Sequence, residues 1–363
     1  MKEIRNLGYQ IHFAGIRFSA TEKGATVPYI DKWITNFTPP GKSLFKKILN
    51  RFKIRSTRKT ASKPNINNKS VDRKLRESWI DQAKTIQEKE NYSRVFVPYV
   101  FNSKFLDAFG KAEVKIIDTH DIFSKRNELL EKHGVKETWF SISSEEEKRG
   151  LKRASRIIAI QEKEQQYIHE LTDGEIPVHT VKHIVEKKFL EWNGSPEFNK
   201  TIGFLGSENP INVHGLTWFI SEVLPDLKKD FPDLNFLIGG TICSKMEESS
   251  NYTLVGRTEN PQDFYRRCLF TINPMRVGTG LKIKTIESLS YGRPVVSTST
   301  GLDGLEEFIE NGALLANTKE EFMAAITSLL NAPGKTEQLV NSMSVLIDKM
   351  NQDSRRNLEL ILE

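Results

Sequence analysis

Short runs of β-branched and aliphatic residues alternate with longer amphipathic stretches along most of the chain. This alternation limits the fold more than any other feature. The runs read as strands at Tyr9–Ala14, Val95–Tyr99, Val114–Ile117, Ile157–Ile160 and Val178–Val181 in the first half. In the second half they fall at Ile202–Leu205, Phe236–Ile238, Thr253–Val255, Leu269–Ile272 and Pro294–Ser297. Lacking a polar face, they suit strands buried on both sides of a parallel sheet. The stretches between read as helices. Trp218, Phe219, Val223 and Leu224 make one apolar stripe at helical spacing, and Ser143 and Ser144 stand three residues before Glu146 and Glu147, a capping-box pattern. Strand–helix alternation in two blocks predicts an α/β chain with two doubly wound domains.

The length of 363 residues also suits two domains. The break falls in EWNGSPEFNK, residues 191–200, which carries Gly, Pro and Asn and no periodicity. The domains are then residues 1–190 and 198–334, followed by a helical segment, 335–363, that needs a surface to pack on and can reach back toward the first domain. No internal repeat is visible. No run approaches ~18 apolar residues, so no transmembrane helix is expected. MKEIRNLGYQ lacks the apolar core of a secretory signal. The two cysteines, Cys243 and Cys268, sit in no metal-binding cluster, and a reducing cytoplasm is the natural compartment.

The net charge of +6 is unevenly spread: residues 42–71 hold ten Lys and Arg and no acid, leaving −4 on the rest. Within that segment Phe45, Ile48, Leu49 and Phe52 recur at helical spacing, with Lys46, Lys47, Arg51 and Lys53 largely off the stripe. The pattern suits a basic amphipathic helix on an anionic membrane surface, and equally a helix packed on its own domain with solvated lysines. Nucleic acid is a poorer partner, because base-stacking aromatics are few and the remainder is acidic.

The densest signal is NPMRVGTGLKIKTIESLSYGRPVVST, residues 273–298. A strand ends at Asn273-Pro274, a glycine turn follows at Gly278-Thr279-Gly280, and a helix is expected from near Leu281 to Gly292. Such a turn lets a ligand approach the backbone and aims the positive end of the helix at it, which suits a diphosphate. Arg276, Lys282 and Lys284 add cations. Gly280, Lys284 and Glu287 share one helix face at i, i+4 and i+7, so a lysine can hold phosphate while Glu287 binds two vicinal ribose hydroxyls. Ile283, Ile286 and Leu289 supply the opposite, buried face.

These pieces resemble the nucleotide-sugar-binding domain of GT-B glycosyltransferases, in the retaining group called glycosyltransferase family 4, and its GTGLKIK-type sub-branch. The resemblance is carried by TIGFLGSENPINVHGLTWFISEVLP, FLIGG, LVGRTEN and FYRRCLFTINPMRVGTGLKIKTIESLSYGRPVVST, in that order. It implies two Rossmann-like domains facing a cleft, with the donor diphosphate on the glycine turn, Glu287 on the ribose, and Gly256 and Arg257 near the base. Two departures stand out. The first of the family's paired glutamates falls on Thr279, and the loop opened by Gly206 lacks the usual Arg and Lys. Donor contacts then come from the Gly278–Gly280 backbone, Arg276, Lys282 and Lys284. In the first half, VKIIDTHDIFSKRNELL resembles the segment that delivers a His to the reacting sugar, here His120 with Asp118 and Asp121 beside it and Ser124 and Arg126 on the same wall. Gln161 or Glu164 faces the cleft only by analogy. A bland reading has His120 and Asp121 merely capping the next helix.

The resemblance implies transfer of a sugar from a UDP-, GDP- or other nucleoside-diphosphate donor to an acceptor hydroxyl, with retention. No resident cofactor and no metal are expected: the helix start and the cations can stabilise the leaving diphosphate, and no DxD-type carboxylate pair stands ready to hold an ion. With the basic amphipathic segment on the first domain, the acceptor would be a glycan or lipid-linked glycan at the cytoplasmic face of the membrane. His120, Asp121 and Lys284 are the catalytic candidates. Family members normally open with a strand, a Gly-rich acceptor loop and a helix before a segment like GYQIHFAG. That first strand–helix unit is missing before Tyr9, so one central strand position is expected to be empty. A catalytically inactive accessory subunit of the same fold is therefore the alternative reading. A nucleotide-sugar epimerase fits the motif less well.

Overall fold

The computed structural model describes residues 1–14, 30–34, 70–124, 126–135, 140–190 and 200–363. The basic amphipathic stretch at 45–53 and the interdomain break at 191–199 lie outside the described residues. All ten expected strands form. They are β1 His12–Ala14, β3 Arg94–Pro98, β4 Val114–Asp118, β5 Arg156–Ala159, β6 Val178–Thr180, β7 Thr201–Leu205, β8 Asn235–Gly239, β9 Thr253–Gly256, β10 Phe270–Asn273 and β11 Val295–Ser297. Two further strands, β2 Lys32–Ile34 and β12 Ala313–Leu315, were not legible in the sequence.

The second domain is a six-stranded parallel sheet in the order β12-β11-β10-β7-β8-β9. Ile202, Phe204, Phe236, Ile238, Phe270 and Ile272 are all buried, which is why these runs carry no polar face. Chain order reverses between β7 and β10, so their carboxyl ends open a crevice where ligands dock in doubly wound sheets. The expected stripe at 218–224 is buried at Phe219, Val223 and Leu224, but a π turn, Phe219–Val223, interrupts the helix. Pro225 follows and supplies no N–H to continue the ladder.

The first domain has a four-stranded parallel sheet, β3-β4-β5-β6, and β1 and β2 pair parallel as a separate two-stranded sheet. The helix Pro333–Leu362 ties the domains together. Its Met343 and Ile347 join a core with Ile286, Leu289 and Phe308, while Leu358, Ile361 and Leu362 pack on Val114, Ile116 and Ile158. Further contacts cross between the domains. Arg126 donates to Thr279 Oγ1 at 2.8 Å, Lys163 bridges Asp303 and Glu306 at 2.6 Å each, and Lys182 reaches Glu307 at 2.9 Å.

Candidate active site

The loop after β10 carries the glycine turn. Gly278 has φ +150° and Gly280 φ +71°, and a Cβ on Gly280 would stand 3.1 Å from the His120 carbonyl oxygen. The left-handed backbone at Gly280 favours glycine, and a Cβ there would also crowd the first domain. Lys282 folds back over the turn, donating to the Thr279 and Gly280 carbonyls at 3.0 and 2.5 Å. The helix consequently starts at Ile283, two residues later than expected, and runs to Ser290. Gly280 lies outside it and shares no helix face with Lys284 and Glu287. Ile286 and Leu289 are buried, but Ile283 is 47% exposed and is not part of the buried face. Thr285 and Ile286 are the first residues to bond back to the Lys282 carbonyl, so the N–H groups of Ile283 and Lys284 precede the helical ladder.

Lys284 occupies the switch point. Its ammonium donates to Asn212 Oδ1 and, at 3.0 Å, to Met275 Sδ, and it lies 5.4 Å from the Phe204 ring centroid. Asn212 belongs to the helix Pro210–Trp218 that follows the β7 loop. Lys284 thus brings to that loop the cation its own sequence lacks. It makes no ion pair among the described residues. Burial, with Lys282 nearby, pulls its pKa down to about 7. Burial also lowers Lys282, against the pull of Asp303, Asp121 and Glu164.

One turn along the same helix, Glu287 accepts from the Tyr265 hydroxyl at 2.9 Å, and burial raises its pKa. It faces a cavity of about 1140 Å³ that also takes in Asp118, His120 and His183. On the first-domain side the lining includes the consecutive runs Ile11–Ala14 and Arg94–Pro98. Consecutive rather than alternate residues means that strand edges face the space. His120 adopts a left-handed conformation, φ +56°, at the end of β4. Its Nε2 lies 3.3 Å from Asp118 Oδ2, and its ring sits 4.8 Å from that of Tyr99, itself at φ +63°. Two non-glycine residues in this region side by side mark a strained strand end of the kind found at active sites.

Of the candidate site residues only His120 and Glu287 line this cavity; Lys284, Lys282, the glycine turn and the others lie outside its lining. Asp121 is paired with Arg126 inside the interdomain seam, its side chain 12% exposed, and burial raises its pKa. Gly206 and Gly256 lie at the ends of β7 and β9, on either side of the turn after β8. Gly240 N–H donates to the Gly256 carbonyl and Ile242 N–H to that of Gly206. Arg257 is exposed, and Arg276 is exposed with its guanidinium 5.1 Å from the Trp218 ring. Thr279 accepts from Arg126, while Gln161 Nε2 donates to Glu164 at 3.2 Å and Asp303 at 3.4 Å. Asn212 and Tyr265, which hold Lys284 and Glu287, were missed in the sequence. Each lies more than twenty residues from its partner, and only the fold brings them together.

Residues 199–332 match the model of a family described as glycosyl transferases group 1. Solved structures extend the likeness. A glycosyltransferase from Rickettsia africae ESF-5 superposes with a TM-score of 0.64 at 13% identity, covering 99% of this chain and 91% of that one. The pneumococcal O-GlcNAc transferase GtfA, in complex with UDP and GlcNAc, gives 0.58 at 12% identity, covering 77% of this chain and 60% of that one. The fold is that of the GT-B glycosyltransferases. Among curated proteins, an uncharacterised 44.6 kDa protein in the cps region of Klebsiella pneumoniae is 27% identical over 161 residues. The match takes in 40% of this chain and about two fifths, 41%, of the relative. Among the described residues no helix is long and apolar enough to cross a membrane.

Proposed function

We propose that this protein transfers a sugar from a nucleoside-diphosphate sugar to an acceptor hydroxyl, with retention. One observation carries the reading. Lys284, an enclosed cation with no counter-ion among the described residues, sits at the switch point of a GT-B second domain, three residues from a carboxylate that faces the same cavity as His120. A diphosphate near Lys284 would meet that ammonium and the free N–H groups at the helix start. Glu287, held by Tyr265, is placed to accept from two ribose hydroxyls.

In the reaction the bond between the anomeric carbon and the diphosphate oxygen breaks, and its electron pair leaves with the nucleoside diphosphate. The acceptor oxygen bonds to that carbon and loses its proton, which the departing phosphate can take. Charge growing on the phosphate is what Lys284, Lys282 and the helix start stabilise. His120, from the first domain, would hydrogen-bond the sugar or that phosphate. UDP is the first nucleotide to test, since it is bound in related structures. The cavity lining includes Ile11, Phe13, Phe96 and Val97 beside His12, Arg94 and Asn102. An acceptor with both apolar and polar portions, such as a lipid-linked glycan in envelope or capsule synthesis, would match such a lining. The basic segment at 42–71 would then hold the enzyme on the cytoplasmic membrane face. If a chain lacking residues 42–60 floats with anionic vesicles as well as the full chain does, that last step fails.

A thermal-shift screen of nucleoside diphosphates and their sugars tests the core of the proposal. At least one nucleotide should raise the melting temperature of the wild type, and Lys284→Ala and Glu287→Ala should diminish that shift. No response to any nucleotide would refute it. Binding without donor hydrolysis or transfer would instead favour the accessory-subunit reading.

A further inference from the structure

Glu147 is 1% exposed, in the first turn of the helix Ser144–Leu151. It does not close the capping box expected there: Ser143 accepts from Glu146 N–H at 3.3 Å, but neither glutamate returns the bond. Glu146 reaches out to the Val71 N–H at 2.7 Å and to Arg149. Glu147 turns inward. Its Oε1 accepts the Phe123 N–H and its Oε2 the Ser124 N–H, each at 2.8 Å. Both oxygens of a buried carboxylate are thus committed to the main chain of a different segment.

That segment is the loop between β4 and Arg126. At its start Thr119 is anchored to the Ile158 carbonyl through both N–H and hydroxyl, at 3.1 and 2.9 Å. At its far end Ser124 Oγ meets the Tyr167 hydroxyl at 2.6 Å. Between these anchors lie the left-handed His120, which faces the cavity, and Asp121, which pairs with the Arg126 that grips Thr279. A residue in such a conformation persists only where its surroundings over-determine it. We infer that Glu147 is a positioning residue of the active site: by clamping the Phe123 and Ser124 amides it sets the turn that aims His120 into the cleft and Arg126 onto the glycine turn. This rests on the sugar-transfer reading of that cleft.

The chemistry of the clamp is specific. Two N–H donors need two acceptors with little room between them. A glutamine offers one acceptor and turns an NH₂ donor against the second amide, leaving it unsatisfied in the interior. An aspartate keeps both acceptors but falls short by one methylene. Burial raises the Glu147 carboxyl, and the hydrogen bonds from Phe123 and Ser124 oppose that rise.

The test uses full-length protein and three variants, Glu147→Gln, Glu147→Asp and, as control, Glu146→Gln, whose carboxylate ties the same helix to Val71 away from the cleft. With the nucleotide sugar found in the screen, Glu147→Gln should lower kcat about 10- to 100-fold, the scale of a small misplacement of reacting groups. The Kd of the nucleoside diphosphate should stay within about twofold, because its main contacts, Lys284, Glu287 and the helix start, lie in the second domain. Glu147→Asp should recover part of kcat, and Glu146→Gln should leave it unchanged. A second readout needs no turnover: the His120 ring resonances should shift in Glu147→Gln and not in Glu146→Gln. A kcat for Glu147→Gln within threefold of wild type, an equal loss in Glu146→Gln, or unmoved His120 resonances would overturn the inference. If Glu147→Gln fails to fold, a wild-type kcat in Glu147→Asp does the same. Wild-type protein that transfers nothing while the His120 resonances respond as expected would count against the sugar-transfer reading and leave the clamp standing.

Discussion

An ammonium with a pKa of about 7 in the empty site cannot keep that value beside a diphosphate. Two phosphate charges would return Lys284 toward the ordinary lysine value of ~10.4, so nucleotide binding must draw a proton from solution above pH 7. The linkage fixes the size of the effect. The protonated fraction of Lys284 in the free protein is about one half at pH 7, one tenth at pH 8 and one hundredth at pH 9. The Kd for a nucleoside diphosphate should therefore weaken about tenfold between pH 6 and 8, some 1.4 kcal/mol, and about tenfold more by pH 9. Calorimetry in buffers of different ionisation enthalpy reads the uptake directly: about 0.5 proton at pH 7 and 0.9 at pH 8. Lys282, also lowered by burial, can add to the wild-type slope, so a variant isolates the Lys284 share. Lys284→Arg holds its charge throughout and should lose that part of the pH dependence, whereas Lys284→Met should bind weakly at every pH. The free protein carries the complementary signature. A lysine depressed on folding contributes stability that is whole above ~10.4 and is lost as pH falls toward 7, so melting temperature should rise between pH 7 and 9 and do so less with nucleotide bound. Equal Kd profiles for wild type and Lys284→Arg from pH 7 to 9, or no proton uptake at pH 8, would refute the placement of Lys284 against the diphosphate.

Tyr265→Phe removes the donor that orients Glu287 and keeps the buried ring. It should weaken nucleoside diphosphate binding about 3- to 10-fold, near 1 kcal/mol, while inorganic diphosphate, which has no ribose, binds as before. Equal losses for both ligands would show that Glu287 is not the ribose contact. Glu164, 5% exposed at the interdomain seam, has its pKa raised to about 7 by burial, with the Asp121 charge adding to the rise. Its contribution to stability is fully present below ~4.3 and is lost as pH rises through 7, so wild-type melting temperature should fall between pH 5.5 and 8.5 through this group. Glu164→Gln should flatten that part of the slope in a scan of melting temperature against pH, and an unchanged slope would exclude Glu164 as its source.

Much of the fold was open to reading because burial on both faces leaves a compositional mark. Phe270 to Ile272 or Ile157 to Ala159 admit few assignments other than interior strands. β2 was silent because Asp31 and Lys32 break its apolar run, while β12, no shorter than β1, β6 or β11, lies in a stretch that shows no distinct pattern. The start of the Ile283–Ser290 helix falls later than the sequence pattern suggests because its cause is tertiary and conformational. Gly280 at φ +71°, crowded by the His120 carbonyl, holds the turn open, and Lys282 reaches back over it. A helical wheel contains neither fact. The Glu146–Glu147 pair shows the same limit from the other side. The local pattern named the right helix end, while one carboxylate went to the chain at Val71 and the other into the interior.

The departures in the glycine-turn region and the β7 loop point in one direction once the side chains are placed. Position 279, where the resemblance leads one to expect a carboxylate, holds a threonine that accepts from Arg126, and Arg126 in turn pairs with Asp121. The acid at the glycine turn therefore arrives from the first domain instead of from the turn itself. The β7 loop lacks a cation, and Lys284 supplies one through Asn212. Both replacements exchange a local residue for a contact that exists only when separate elements are in place, and the first exists only when the two domains are closed on each other. A site assembled in this way couples charge at the glycine turn to closure. Opening the seam would strip Arg126 and Asp121 from the turn while leaving Lys284 and Glu287 with the second domain. Nucleotide binding and sugar transfer should accordingly be separable by mutation, with residues on the first domain moving kcat and residues on the second moving affinity.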